Sequence, residues 1–166
     1  MKVACVGTGW YPKSPGGLEK YIYGMAHELV RAGDEIDLFL TGEAQSWHAN
    51  ANIFSLAVSP RTTPSLWNRA IWARRCFAAN FNEPYDVVNL HFAMNALPLL
   101  PFIPRRTLRV IHFHGPWAAE SRAEGGGRLA SFIKSKLERY VYHRADRFIT
   151  LSNAFRDVLV DSYGID

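Results

Sequence analysis

A strand, a glycine-rich loop, a helix and a second strand follow one another near the N-terminus, and this order constrains the fold most. An apolar run at residues 3–6 leads through a loop of glycines and prolines into a helix predicted at about residues 18–32. Gly33 is placed to end that helix, and a second strand is predicted at residues 34–40. This order is typical of a βαβ unit, whose loop directs backbone N–H groups toward a ligand.

Strands and helices continue to alternate to the end of the chain. The remaining predicted strands are residues 53–58, 86–90, 108–113 and 147–151. Three more helices are predicted. One begins at Thr62-Thr63-Pro64 and ends at Pro84, and the other two span residues 128–143 and 153–163. Such alternation predicts an α/β fold, a Rossmann-like parallel sheet with helices on both faces, in a single domain of 166 residues.

Two details of the later part of the chain can be checked against a structure. Residues 120–127 are polar and glycine-rich, which predicts a loop. The helix at 128–143 is expected to bury one apolar face, formed by Leu129, Phe132, Ile133, Leu137, Tyr140 and Val141. Cys5 and Cys76 are expected to be buried, reduced thiols.

The first loop does not carry a known nucleotide fingerprint. Gly7-Thr8-Gly9 follows the first strand, but the dinucleotide pattern G-x-G-x-x-G requires glycine where Pro12 stands. No G-K-S or G-K-T sequence follows, so a P-loop is excluded as well. Gly16 and Gly17 remain, at a helix N-terminus that suits a phosphate or a sugar ring approaching bare backbone.

Histidines lie at the ends of two predicted strands. Parallel α/β sheets bind ligands at the carboxyl ends of their strands. His112 and His114 flank Phe113, and strand alternation predicts that both lie on one face; His91 occupies the matching place after the preceding strand. The spacing provides neither a zinc ligand set nor a Ser-His-Asp arrangement. His27 lies off the apolar face of its helix and is expected to be solvated.

The formal net charge is +4, which favours anionic partners without naming one. The basic residues form two groups. The late group is Arg122, Arg128, Lys134, Lys136, Arg139, Arg144 and Arg147. The earlier group lies among tryptophans and consists of Arg61, Arg69, Arg74 and Arg75, with Trp67 and Trp72. Either group is a solvated helix face or a contact with anionic lipid headgroups. No nucleic-acid module is present, and without a signal peptide or an apolar span the expected location is the cytoplasm, with peripheral membrane contact left open.

Four sequence segments resemble one protein family. P-G-G-L-E, with its helix to A-G-D-E-I-D, resembles G-G-x-E…L-x-x-x-G-H-x-V; Y-D-V-V-N-L-H resembles D-V-V-H-x-H; V-I-H-F-H-G resembles T-x-H-G; and A-D-R-F-I-T-L-S resembles A-D-x-I-I-x-x-S. In this order they resemble the N-terminal domain of family 4 glycosyltransferases, retaining GT-B enzymes that use nucleotide sugars. Asp34 and Asn89 stand where the family commonly has histidine.

The resemblance implies a role for each matching residue. Gly16 and Gly17 would face the donor diphosphate and sugar, and His114 would be the catalytic residue beside the reacting sugar. Ser152 would be a structural strand-end residue. The residues implied on the acceptor side are Trp10, Tyr11, Lys13, Ser14 and His91.

The resemblance also implies the reaction. The complete enzyme would transfer a sugar from a UDP- or GDP-sugar to a glycan, lipid or small-molecule acceptor, without a cofactor and, lacking a D-x-D sequence, without a metal. The family's C-terminal domain grips the nucleotide and supplies an E-x7-E element. That donor-binding domain is absent from residues 1–166, so the domain alone is expected to be inactive. The alternative is a stand-alone binding module that docks on anionic membrane lipid or on a separate catalytic subunit.

Overall fold

The structure, a computed structural model, describes residues 1–41, 53–59, 66–80 and 84–165. Six parallel strands form one sheet in the order β3-β2-β1-β4-β5-β6. The strands are β1 Lys2–Val6, β2 Glu35–Thr41, β3 Ile53–Ser59, β4 Val87–Leu90, β5 Leu108–Phe113 and β6 Arg147–Thr150. The predicted strands and the Rossmann-like parallel sheet are therefore confirmed, with ends shifted by no more than a residue. The order reverses between β1 and β4, and in such sheets a ligand crevice opens at that point.

Helices connect the strands. They are α1 Gly17–Arg31, α2 Leu66–Asn80, α3 Ala93–Ala96, α4 Trp117–Ala123, α5 Arg128–Tyr142 and α6 Asn153–Val158. A 3-10 turn follows α3 at Leu100–Phe102, and a π-helical turn, Leu159–Tyr163, extends α6 until Gly164 ends it in the left-handed region. The Thr62–Pro64 start predicted for the second helix lies outside the described residues. Within the described ranges, every helix is too short or too polar to cross a bilayer.

The core lies on both faces of the sheet, because β1 is buried on both sides. Val3 and Cys5 face α1, which buries Ile22, Ala26 and Val30 against that face. Ala4 and Val6 face the opposite side, where they join a larger cluster. Cys5 is buried as predicted, whereas Cys76 is only half-buried.

Residues 120–123 correct the prediction of a loop at 120–127. They belong to α4, which begins at Trp117 directly after Pro116. The segment W-A-A-E-S-R-A consists largely of helix-forming residues. The glycines that suggested a loop begin only at Gly125, so the helix fits in front of them.

The rotation of α5 about its axis also corrects a prediction. Four of the residues expected in the core are exposed instead: Leu129 by 73%, Phe132 by 59%, Ile133 by 50% and Tyr140 by 48%. Of the predicted apolar face, Val141 is buried and Leu137 is half-buried. The buried face of α5 consists of Ser131, Glu138, Val141 and Tyr142. Hydrogen bonds to Glu138, described below, fix this rotation.

Candidate functional site

The carboxyl ends of β1, β4 and β5 lie side by side. Val6 pairs with Leu90, and Leu90 pairs with Ile111, so the next row consists of Gly7, His91 and His112. The His91 amide donates to the Val6 carbonyl at 3.0 Å, which extends the pairing by one step. The side-chain amide of Asn95, on α3, donates to the Gly7 carbonyl at 3.1 Å and fixes the start of the first loop.

His91, His112 and His114 form a histidine cluster at this edge. The rings of His91 and His112 stack with centroids 4.3 Å apart, and the rings of His112 and His114 are within 14° of parallel. His91 Nδ1 lies 3.3 Å from His114 Nε2. The prediction that His112 and His114 share a face, with His91 beside them, is therefore confirmed. The cluster lies on the α1 side of the sheet, because Ile111 and Phe113 face the opposite core.

Tyr21 joins the cluster to α1. Its hydroxyl lies 3.0 Å from His112 Nδ1, and its ring meets all three histidine rings edge-on at centroid distances of 5.2 to 5.9 Å. Sequence reasoning gave Tyr21 no role in the site and missed this contact. The available signal was a hydroxyl-bearing residue one helical turn after the two glycines at the start of α1.

Burial keeps the cluster neutral. It lowers the pKa of His112 to about 4, with a further contribution from the charge of His114. Burial also lowers the pKa of His114, and it lowers the pKa of His91 well below its usual value, with both other histidines adding to that effect. At neutral pH the cluster can therefore donate and accept hydrogen bonds, but it does not supply a positive charge to a phosphate.

Only one member of the cluster is open to a ligand. His91 is 1% exposed and His112 is buried, whereas His114 is half-buried. The Nε2 atoms of His91 and His112 are buried without a hydrogen-bond partner among the described residues. A contact between His91 and the acceptor stays a prediction. In this structure buried His91 lies against His114, so it can act on a ligand only through His114.

Gly16 and Gly17 differ in the space that a side chain would have at each position. Gly16 precedes α1 with extended backbone, and a Cβ built there would collide with the carboxylate of Glu19, which accepts from Thr8 Oγ1 at 2.8 Å. A Cβ on Gly17 would meet no atom within 4 Å. Gly17 is therefore open to solvent, so a group from outside can reach its backbone. The negative charge of the Glu19 carboxylate would repel a phosphate beside Gly16, whereas its oxygens can accept a hydrogen bond from a sugar hydroxyl there.

The first loop packs on the middle of α1 through aromatic rings. Trp10 lies 5.0 Å from the Tyr23 ring and 6.0 Å from the His27 ring, and Tyr11 meets Tyr23 edge-on at 5.6 Å. His27 was expected to be solvated, but it is half-buried in this group, with Nδ1 2.8 Å from the Tyr23 carbonyl oxygen. Lys13 is exposed at the tip of the loop, and Ser14 is half-buried.

Glu138 is the main residue that sequence reasoning missed. Its carboxylate is fully buried and accepts from Tyr163 Oη at 2.9 Å, from Tyr142 Oη at 3.3 Å and from the Ala118 amide at 3.3 Å. The amide of Trp117 donates to it as well, and burial raises its pKa. These amides begin α4, three residues after His114, so Glu138 fixes the turn that carries His114.

Ser152 has the structural role that was predicted. Its hydroxyl accepts from the Phe155 amide at 3.2 Å and caps α6. In the parts of the chain that the structure describes, no three histidine, cysteine or acidic side chains are arranged to hold a metal ion. The expectation that no metal is needed stays a prediction.

The fold and this edge define a class, a Rossmann-like domain whose histidine cluster lies at the carboxyl ends of neighbouring parallel strands. The family model described as Glycosyltransferase Family 4 matches residues 15–166, so the chain belongs to that family. A search of curated proteins finds no match.

A solved structure shares the fold. The chain is similar to sucrose-phosphate synthase from Thermosynechococcus elongatus, with a TM-score of 0.73 and 14% identity over 95% of this chain and 44% of that one. It is also similar to an alpha-glucosyltransferase in complex with UDP and a 13-mer DNA containing a central A:G mismatch, with a TM-score of 0.48 and 12% identity over 92% of this chain and 37% of that one. The chain thus spans less than half the length of either protein.

Proposed function

We propose that this chain is the acceptor-side domain of a retaining glycosyltransferase. The complete enzyme transfers a sugar from a UDP- or GDP-sugar to a glycan, lipid or small-molecule acceptor. Membership in Glycosyltransferase Family 4 supports the class of reaction and does not favour a stand-alone binding module. The observation that carries the proposal is that Tyr21 joins the glycine N-terminus of α1 to the half-buried His114 at one edge of the sheet.

The proposal gives His114 and the glycines distinct roles. His114 is neutral because burial lowers its pKa. In this state its ring forms a hydrogen bond with a hydroxyl of the donor sugar and holds the anomeric carbon in place. The open backbone at Gly17 lets the donor diphosphate approach the positive end of α1, and the sugar hydroxyls face Glu19. A second domain across the cleft holds the nucleotide.

The acceptor enters from the first loop. Lys13 and Ser14 contact it directly, and Trp10 and Tyr11 hold the loop on α1 beside it. His91 acts through His114. In this proposal transfer takes place in the cytoplasm, proceeds without a divalent metal and needs the second domain. Turnover of a nucleotide sugar by the 166-residue chain alone would contradict the last point.

A titration of the isotope-labelled chain tests the donor site. UDP- and GDP-sugars are expected to shift the NMR signals of the Gly16 and Gly17 amides and of the His114 ring, with weak affinity because the nucleotide is gripped elsewhere. NAD is the control ligand and is expected to leave these signals in place. The Gly17→Ala variant is expected to weaken the shifts, because its methyl group occupies the open backbone. Shifts that avoid all three residues, or equal shifts with NAD, would reject the proposed site.

A further inference from the structure

The outward side of α5 is apolar. Leu129, Phe132, Ile133 and Tyr140, called here the α5 apolar face, lie opposite the buried side formed by residues such as Glu138 and Val141. Single exposed hydrophobic residues are ordinary on protein surfaces, but four on one side of a 15-residue helix form a continuous patch. Such a patch indicates a binding surface.

The exposed charges that α5 itself carries are all basic. They are Arg128, Lys136 and Arg139, whereas Lys134 is half-buried with its Nζ over the Trp117 ring, and the single acid of the helix, Glu138, is buried. Lys136 Nζ lies 5.3 Å from the Phe132 ring centroid, and Arg144 Cζ lies 3.4 Å from the Tyr140 ring centroid. Basic heads over exposed aromatic rings are typical of helices that lie in a membrane interface. Protein–protein interfaces are instead depleted of lysine, and two copies of this face would repel each other.

A groove between α4 and α5 lies beside this face, with Val158 and Tyr163 completing its lining. It has a volume of about 620 Å³, and the polar side chains in its largely apolar lining include Arg122, Arg128, Ser131 and Ser135. Ser131 is nine-tenths buried, and its hydroxyl finds no hydrogen-bond partner within the described chain. Two guanidinium groups and an unpaired hydroxyl match the hydrogen-bonding needs of a phosphate.

We propose that α5 docks this domain on an anionic phospholipid bilayer. The α5 apolar face enters the interface, and the groove between α4 and α5 takes a phosphate headgroup. This docking involves no sugar and no nucleotide, so it stands or falls separately from the proposed transferase function.

The helix α2 provides a matched comparison. Ile71 and Trp72 are exposed there beside Arg74 and Arg75, so α2 also combines apolar and basic side chains. Arg74 is directed to the chain's own Phe102 ring, with Cζ 5.4 Å from its centroid. The described side chains of α2 thus offer two exposed apolar residues, half the number that α5 presents.

The test is cosedimentation of the 166-residue chain with vesicles. Phosphatidylglycerol in phosphatidylcholine is compared with phosphatidylcholine alone, at low and at high salt. The double variant Arg128→Glu/Phe132→Ser is compared with Trp72→Ser/Arg75→Glu, which makes the same kind of change on α2. Ser131→Ala removes the unpaired hydroxyl and nothing else, so it is expected to keep the fold. Circular dichroism checks that each variant is folded, and inorganic phosphate is added as a free competitor.

The proposal expects binding to the phosphatidylglycerol vesicles that weakens at high salt and is absent from neutral vesicles. The α5 double variant is expected to lose about tenfold or more in affinity, and the α2 variant to bind as the parent chain does. Ser131→Ala is expected to lose about fivefold, the effect of one hydrogen bond. Absence of binding, equal loss in both double variants, full displacement by inorganic phosphate, or an α5-dependent dimer in sedimentation would each overturn it.

Discussion

Removal of the Glu138 carboxylate is expected to destabilise the domain strongly. Glu138→Ala leaves the hydroxyls of Tyr142 and Tyr163 and the first amides of α4 buried without their acceptor. Each unpaired donor costs about 1–3 kcal/mol, and the loss of a buried, desolvated charge offsets part of the sum. We expect a net loss in the free energy of unfolding on the order of 4 kcal/mol. For a chain of this size that lowers Tm by roughly 8–16 °C.

The assay is urea unfolding followed by far-ultraviolet circular dichroism. Glu138→Gln keeps an acceptor oxygen and the side-chain shape, so we expect it to lose only about 1–2 kcal/mol. Glu124→Ala is the control, because Glu124 is exposed just after α4 and its removal is expected to change stability by less than about 0.5 kcal/mol. A Glu138→Ala variant as stable as Glu124→Ala would refute the view that this carboxylate holds α4.

Four further substitutions examine the site edge. Burial lowers the pKa of His112 from 6.5 to about 4, so between these pH values the unfolded chain binds a proton that the native chain does not bind. The stability that neutral His112 contributes is therefore complete above pH 6.5 and is lost as the pH falls toward 4. The loss amounts to roughly 3 kcal/mol in all. His112→Phe should remove that part of the acid destabilisation. If this is wrong, urea unfolding at pH 7 and pH 4.5 would show the same difference in the free energy of unfolding for the variant as for the parent chain. Tyr21→Phe loses the hydrogen bond to His112 and should cost about 1 kcal/mol at pH 7, whereas an unaltered urea midpoint would mean that the bond contributes nothing. Gly16→Ala displaces Glu19 from Thr8 and should cost about 1 kcal/mol, but Gly17→Ala meets open space and should keep or raise Tm; the reverse order in thermal melts would contradict this account of the loop.

The strands could be predicted because a parallel sheet covered on both faces reads as short apolar runs. Residues 3–6 are such a run, and Gly7 marks its end. The meeting of His91 with His112 could be predicted too, because both stand at the carboxyl ends of parallel strands. Their exposure could not, because the burial of His91 depends on His114 and Tyr21 packing over it.

The rotation of α5 could not be predicted from periodicity. Periodicity groups Leu129, Phe132, Ile133 and Tyr140 on one side of the helix and predicts that this side is buried, whereas the structure exposes it. The observed rotation is fixed by Glu138, whose partners include Ala118 on α4 and Tyr163 after α6. These contacts join residues 20 and 25 positions apart, which a local pattern does not contain. The wrong loop at 120–127 has a local cause instead, because the glycines from Gly125 onward suggested a loop that begins earlier than it does.

The kinetics of His114→Ala test the central claim most directly, in the two-domain enzyme that the proposed function requires. Because His114 is the one accessible member of the histidine cluster, the account predicts that kcat falls by about a hundredfold while the KM for the nucleotide sugar changes by less than about threefold. His143→Ala is the control, because His143 is exposed at the end of α5, and it should leave both constants unchanged. An unchanged kcat in His114→Ala, or an equal loss in His143→Ala, would contradict the claim that sugar transfer takes place at this edge.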